Sequence, residues 1–223
     1  MKRTKLADRK LPNYSRGEEI MNMVSHIVGG AIGIISLILC LIFAIIHHSG
    51  FAISGAIVFG ISMILVYTMS SIYHGLTHKT AKKVFQIFDH CTIFLLIAGT
   101  YTPILLCNVR EFDVTLAWWL FALIWGLAII GIVLNAIDLK KYSVFSMICY
   151  LLMGWCIMVA APNMIEIMTL NGMILLLSGG IAYTIGAILY MIGSKKRYFH
   201  FIFHIFVDIG SLLHFLTILL YVV

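Results

Sequence analysis

Apolar stretches of 18 residues or more recur along this chain, each separated from the next by a short cluster of charged or turn-forming residues. A helix of that length crosses the roughly 30 Å hydrocarbon core of a bilayer, and such repetition has no place in a small soluble domain. Seven segments satisfy the criterion: 21–46, 51–73, 84–107, 114–137, 142–161, 167–192 and 199–223. The pattern predicts an all-α integral membrane protein, a seven-transmembrane-helix bundle. Helices of about 20–25 residues with short loops use up nearly all of the 223 residues. The expected organisation is therefore a basic segment, 1–20, followed by a single transmembrane helix domain, 21–223. Charged residues make up 11% of the chain, against about 25% in soluble domains. That excludes a soluble enzyme, a disordered chain and a nucleic-acid binder. The five cysteines are odd in number and sit inside apolar runs, so they form no disulfide framework.

The first apolar run is far longer than the roughly 7–15 residues of a signal-peptide core, so it is expected to be retained. Ser15-Arg16-Gly17-Glu18 reads as a capping box that starts the first helix at the membrane surface. Loops at 47–50, 75–83, 108–113, 138–141, 162–166 and 194–198 are terse. Basic residues mark one side. Six precede the first span (Lys2, Arg3, Lys5, Arg9, Lys10, Arg16), and eight lie in the second, fourth and sixth loops (Lys79, Lys82, Lys83, Lys140, Lys141, Lys195, Lys196, Arg197). Only Arg110 falls in an odd-numbered loop. The positive-inside rule then predicts a cytoplasmic N-terminus and an extracytoplasmic C-terminus, and topogenesis is the preferred explanation of the charge.

Ionisable side chains inside spans are costly and mark functional candidates. Here they are His26, His74, Asp89, His90, His200, His204, Asp208 and His214, together with neighbouring Cys91. His74 closes the second span, Asp89 opens the third, and His200 and His204 open the seventh. With alternating spans, all four fall at one level near the cytoplasmic face. His200 and His204 are four residues apart on one helical face, with Cβ atoms about 5–6 Å apart, close enough to share an ion. With His74 they make three imidazole ligands, and three protein ligands plus water is the pattern of a catalytic zinc site. Copper, iron or nickel would also accept that set. Asp89 is the candidate to orient the water or take its proton, and Ser70, one turn before His74, the candidate to donate a hydrogen bond.

Each residue also has a plainer reading. A lone histidine near a helix end ordinarily snorkels to the interface. Asp89 has His90, Lys82 and Lys83 as alternative partners. His78 offers a rival pair with His74 but lies in a basic loop, and His47 and His48 read as an ordinary outer loop. Cys91 lies on the far side of its helix from Asp89. His214 lies about 15 Å beyond His204 at helical rise, too far to share an ion with it; it is expected to hydrogen-bond across to a neighbouring helix or to line a polar cavity. Pro103 is expected to kink the third span and open space.

Glu18-Glu19-Ile20-Met21-Asn22 with His26, Ser70-x-x-x-His74, Phe88-Asp89, Gly99-x-x-x-Pro103 and His200-x-x-x-His204 followed by His214 resemble the haemolysin III proteins. These are the bacterial branch of the superfamily that contains the progestin and adiponectin receptors and, more remotely, the alkaline ceramidases. The resemblance spans nearly the whole chain. It implies seven helices with the N-terminus inside, zinc on His74, His200 and His204, Asp89 contacting zinc-bound water, and Ser70 nearby. It also implies kinship with proteins linked to ceramide amide hydrolysis. Asp208 departs from it, because the corresponding place is usually apolar.

Two function classes follow. One is a multi-pass cell-membrane hydrolase that uses zinc on a lipid amide or ester, with membrane lipid as substrate or ligand. The other is a non-catalytic membrane protein, a zinc-stabilised receptor or sensor or a membrane-perturbing haemolysin. A transporter or pore is disfavoured, because the polar residues gather at one depth.

Overall fold

The computed structural model describes residues 3–47, 49–193 and 196–223 of the chain, apart from the side chain at 162. His48, named above in the outer loop, and Lys2 and Lys195, named in the charge count, lie outside the described residues. All regular structure among the described residues is helical. The helices are α1 (Arg16–Ile46), α2 (Gly50–Gly75), α3 (Lys79–Pro103), α4 (Val114–Asp138), α5 (Ser143–Trp155), α6 (Ala161–Gly193) and α7 (Phe199–Tyr221).

Helix starts follow the local chemistry. The capping box forms: Ser15 Oγ accepts from the Glu18 N–H at 3.3 Å, and the Glu18 carboxylate accepts from the Ser15 N–H at 2.9 Å. Ser49 Oγ, His78 Nδ1 and Asp113 Oδ1 each accept the backbone N–H three residues on, starting α2, α3 and α4. Each relieves an orphan donor where the chain enters an apolar medium. For His78 this is the assignment: it caps α3 and does not pair with His74.

Among the described residues, six helices are long and apolar enough to cross a membrane. The fifth apolar segment is shorter, Ser143–Val159: its α-helical part ends at Trp155 and a 3-10 turn, Cys156–Val159, follows. Tyr101 of α3 secures that change of geometry. Its hydroxyl donates to the Gly154 carbonyl at 3.0 Å and accepts from the Ile157 N–H at 2.9 Å. Backbone groups that lose helical partners at membrane depth need substitutes of this kind.

The expected break at Pro103 takes a specific form. After it, α3 continues as a π-helical stretch, Ile104–Val109, and a last turn, Arg110–Phe112. The loop expected at 162–166 is instead helical, since proline fits the first turn of a helix. The chain breaks later, at Thr169, whose φ of 63° lies in the left-handed region.

α3 is the central helix, packed against α2, α4 and α5, while α1 and α7 pack together and α6 lies against α7. Polar contacts tie α3, α4 and α5 together: Ser146 Oγ donates to Asn135 Oδ1 at 2.7 Å, and the Tyr150 hydroxyl donates to the His90 carbonyl at 2.8 Å. The N-terminal segment folds across one end of the bundle. Arg3 Nε donates to the Ile137 carbonyl, the Thr4 N–H to Asp138, and Lys83 Nζ to the Ala7 carbonyl. The N-terminal basic residues and the α2–α3 and α4–α5 connections therefore meet at one end, whereas Arg110 lies over Phe51 at the start of α2.

The α2–α3 contact depends on glycine. A Cβ on Gly99 would collide with the Ser62 side chain, whereas a Cβ on Gly126 would meet open space. Gly99→Ala is expected to destabilise the bundle by about 1–3 kcal/mol through overpacking. Gly126→Ala is expected to be neutral or slightly stabilising, as alanine is the better helix former. Thermal unfolding of the two variants in detergent checks this.

Candidate metal centre

Three helices build the site. His74 sits in the last turn of α2, and Lys82 of α3 finishes that helix: its ammonium donates to the carbonyls of Tyr73, His74 and Leu76 at 3.0–3.3 Å. A buried lysine read from sequence as a topogenic charge thus caps the helix that carries a candidate ligand, where the helix dipole favours a cation. His200 and His204 lie on the first turns of α7. That start is latched to α1: Glu18 Oε1 accepts the N–H of Tyr198 at 2.8 Å, next to a left-handed turn at Tyr198 (φ 62°).

All three histidines are buried. Each offers one ring nitrogen, and the three nitrogens lie within 4.8 Å of one another. The Nε2 atoms of His200 and His204 are 3.1 Å apart. Nitrogens bound at about 2.0–2.1 Å to one tetrahedral ion would stand about 3.3 Å apart. The His200–His204 pair is already slightly closer than that, and no pair in the cluster is more than 4.8 Å apart.

The partners of the rings fix which nitrogen is free. His74 Nδ1 donates to Glu19 Oε2 at 2.7 Å, and Glu19 Oε1 pairs with Lys82 Nζ at 2.9 Å. His204 Nδ1 donates to the Asn22 carbonyl at 3.2 Å, with Ser25 Oγ also at 3.2 Å. Both rings therefore carry their proton on Nδ1 and point an Nε2 lone pair inward, the tautomer a metal requires. His74 Nε2 is buried and has no partner among the described residues. An orphaned, converging lone pair of this kind fits a metal ion, and the donor set suits zinc or another imidazole-binding metal.

Ser70 and Asp89 line one cavity with His26, His200 and His204. Ser70 Oγ is buried without a partner among the described residues, and Asp89 lies 3.6 Å from His90 Nδ1. The cavity, about 180 Å³, runs beside α7 from His200 to His214, a length of about 21 Å at helical rise. Its walls are mostly apolar. At the deep end, His214 Nε2 donates to the Leu176 carbonyl at 3.1 Å. Asp208 does not line this cavity: it and the Tyr67 ring occupy the space that a Cβ on Gly29 of α1 would need.

Sequence reasoning gave no role to four neighbours. Glu19 and Asn22 appeared only as parts of a motif, although their spacing of three on α1 puts both on the face toward the histidines. His26 stacks flat on His204, with centroids 3.6 Å apart and planes at 10°. Tyr14 stacks on His200 at 4.9 Å and covers the cluster from the N-terminal side. Burial, with Tyr190, Glu19 and Asp89 nearby, pushes its phenol up, so Tyr14 stays protonated. No local periodicity could show that the chain before the first helix folds back over a site built by the last one.

Comparison with known proteins places the chain in a family. Residues 14–215 match the family described as Haemolysin-III related. The chain is 42% identical to Hemolysin-3 of Bacillus cereus over 205 residues, 92% of each chain. It is 38% identical to the Hemolysin-3 homolog of Bacillus subtilis (strain 168) over 206 residues, 92% of this chain and 95% of the relative. The monocyte to macrophage differentiation factor of Homo sapiens is 26% identical over 166 residues, 72% of this chain and 67% of that protein. No solved structure matches the chain. Its long apolar helices and these relatives make it a multi-pass membrane protein, and it belongs to the haemolysin III family.

Proposed function

We propose that this protein is a metal-dependent hydrolase of a lipid amide or ester, with zinc on His74, His200 and His204. In this reading the chain crosses the cell membrane seven times, Ser143–Val159 being the short crossing, with its N-terminus in the cytoplasm. The observation that carries the reading is the continuity of a three-imidazole cluster with a long apolar cavity. An amphiphile whose scissile linkage lies at headgroup depth would bring its carbonyl to the histidines and its tail along α7.

When bound, the metal supplies a Lewis acid for a carbonyl and lowers the pKa of water to about 7. The chain's own groups do the rest. Glu19 and Asn22 hold the His74 and His204 rings in the ligating tautomer. Asp89, on the cavity wall, takes the proton of the attacking water and passes it to the leaving group. Ser70 Oγ, which has no partner among the described residues, donates to the polar linkage of the substrate. The apolar wall restricts bulk water.

The burial of all three ligands favours a second reading, in which the metal ties α2 to α7 without turnover. Its signature is metal-dependent thermal stability with no fatty acid released from any lipid amide or ester.

Three outcomes are expected. By mass-spectrometric metal analysis, the purified protein carries one equivalent of zinc, His74→Ala and His200→Ala lose it, and Asp89→Ala retains it. Glu19→Gln weakens the metal about 10–100-fold in chelator competition, because the carboxylate that orients His74 is lost. Zinc-loaded protein releases fatty acid from a lipid amide or ester, Asp89→Asn slows release about 10²–10⁴-fold, and His204→Ala abolishes it. Turnover unchanged in His204→Ala contradicts the assignment.

A further inference from the structure

A second, polar cavity of about 780 Å³ opens at the same end of the bundle. The N-terminal segment, residues 8–15, forms one wall, and α3, the α4–α5 connection, the end of α6 and the connection that leads into α7 form the others. His90, Leu139, Ser143 and Tyr190 line both cavities, so the polar vestibule and the apolar pocket share a wall at the level of the histidines.

The vestibule is cationic. Arg9, Lys10, Lys140, Lys196 and Arg197 line it, against Asp8 and Glu18. Glu18 is already engaged by the N–H groups of Ser15 and Tyr198. Topogenesis accounts for lysines and arginines that reach water, but not for Arg9, which is 7% exposed. Among the described residues it makes no ion pair, its Nη1 has one long bond of 3.5 Å to the Lys83 carbonyl, and its Nε is buried without a partner. Asp138, the acid whose field it feels, is occupied by the N–H groups of Thr4 and Lys141. Burial pulls the guanidinium down from its ordinary value. A planar donor fork held without a carboxylate suits a phosphate. A cluster of four to eight basic residues at a membrane surface is the recognition pattern for anionic headgroups.

We propose that the vestibule is a phosphate site, centred on Arg9 and supported by Lys140 and Lys196, that takes the head of an amphiphile whose tail enters the apolar cavity. The tail placement rests on the reading of that cavity given above; the charge recognition does not.

The test uses full-length protein in maltoside detergent and displacement of radiolabelled dodecyl phosphate, which has no amide or carboxylic ester to cleave. Dodecyl phosphate is expected to bind at least about tenfold more tightly than the neutral dodecyl glyceryl ether. Arg9→Gln is expected to weaken dodecyl phosphate about tenfold and the neutral ether less than twofold, with Arg9→Lys intermediate. Lys79→Gln, which removes an exposed charge outside the vestibule, is expected to change neither by more than twofold. Should Arg9→Gln fail to fold, Lys140→Gln with Lys196→Gln replaces it with the same expectation.

Equal affinity for the charged and neutral amphiphiles overturns the proposal, as does an equal effect of Arg9→Gln and Lys79→Gln. Displacement by inorganic phosphate as effective as by dodecyl phosphate reassigns the site to free phosphate and overturns the headgroup assignment. A charge preference that persists while hexyl and dodecyl phosphate bind equally overturns only the placement of the tail, and with it the substrate pocket proposed above.

Discussion

The site depends on the first two turns of α1. From one short stretch, Glu18 latches the start of α7 through the Tyr198 N–H, Glu19 holds the His74 ring, and the Asn22 carbonyl holds His204. None of these groups is a ligand, yet each fixes the position or tautomer of one. Two helix ends that are remote in sequence can present converging lone pairs because a third element holds both, and Lys82 neutralises the Glu19 carboxylate that this places among buried rings. In a water-poor bundle the arrangement has to be complete, since a half-satisfied polar network is costlier than none. Among the described residues, His74 Nε2 is one of the buried polar atoms left without a partner, and it belongs to the ring that completes the three-histidine cluster.

From there the chemistry divides by polarity. Toward the bundle interior the cavity is apolar and follows α7; toward the basic end it adjoins a vestibule walled by the N-terminal segment. An amphiphile has the same division. A site on the boundary meets the bond between head and tail, which is where an amide or ester lies. Tyr14 and His26 sandwich the cluster from two sides, stacking on His200 and His204, and restrict the directions from which anything can arrive.

Much of this was legible in the sequence because the bilayer makes a few rules strict. Apolar run length gave the long helices, and alternation of spans put His74, His200 and His204 at one depth, where the structure brings them together. The capping box at Ser15 formed as read. What escaped reading was sideways. Periodicity assigns depth and face to a residue but not the neighbour that face will meet, so Glu19, Asn22 and Lys82 could not be tied to the histidines they serve. The short α5 escaped because hydropathy measures composition, whereas the tightening at Cys156 rests on a hydroxyl from Tyr101. Asp208, which departs from the family pattern, packs over Gly29 of α1, a contact that no spacing within α7 could show.

The most direct test of the central claim is X-ray absorption at the zinc edge on the purified, zinc-loaded protein. A shell of three imidazole nitrogens at about 2.0–2.1 Å with one oxygen ligand is expected, with loss of the imidazole signature in His204→Ala. A shell dominated by sulfur, an oxygen-only shell, or a spectrum unchanged by His204→Ala would contradict it.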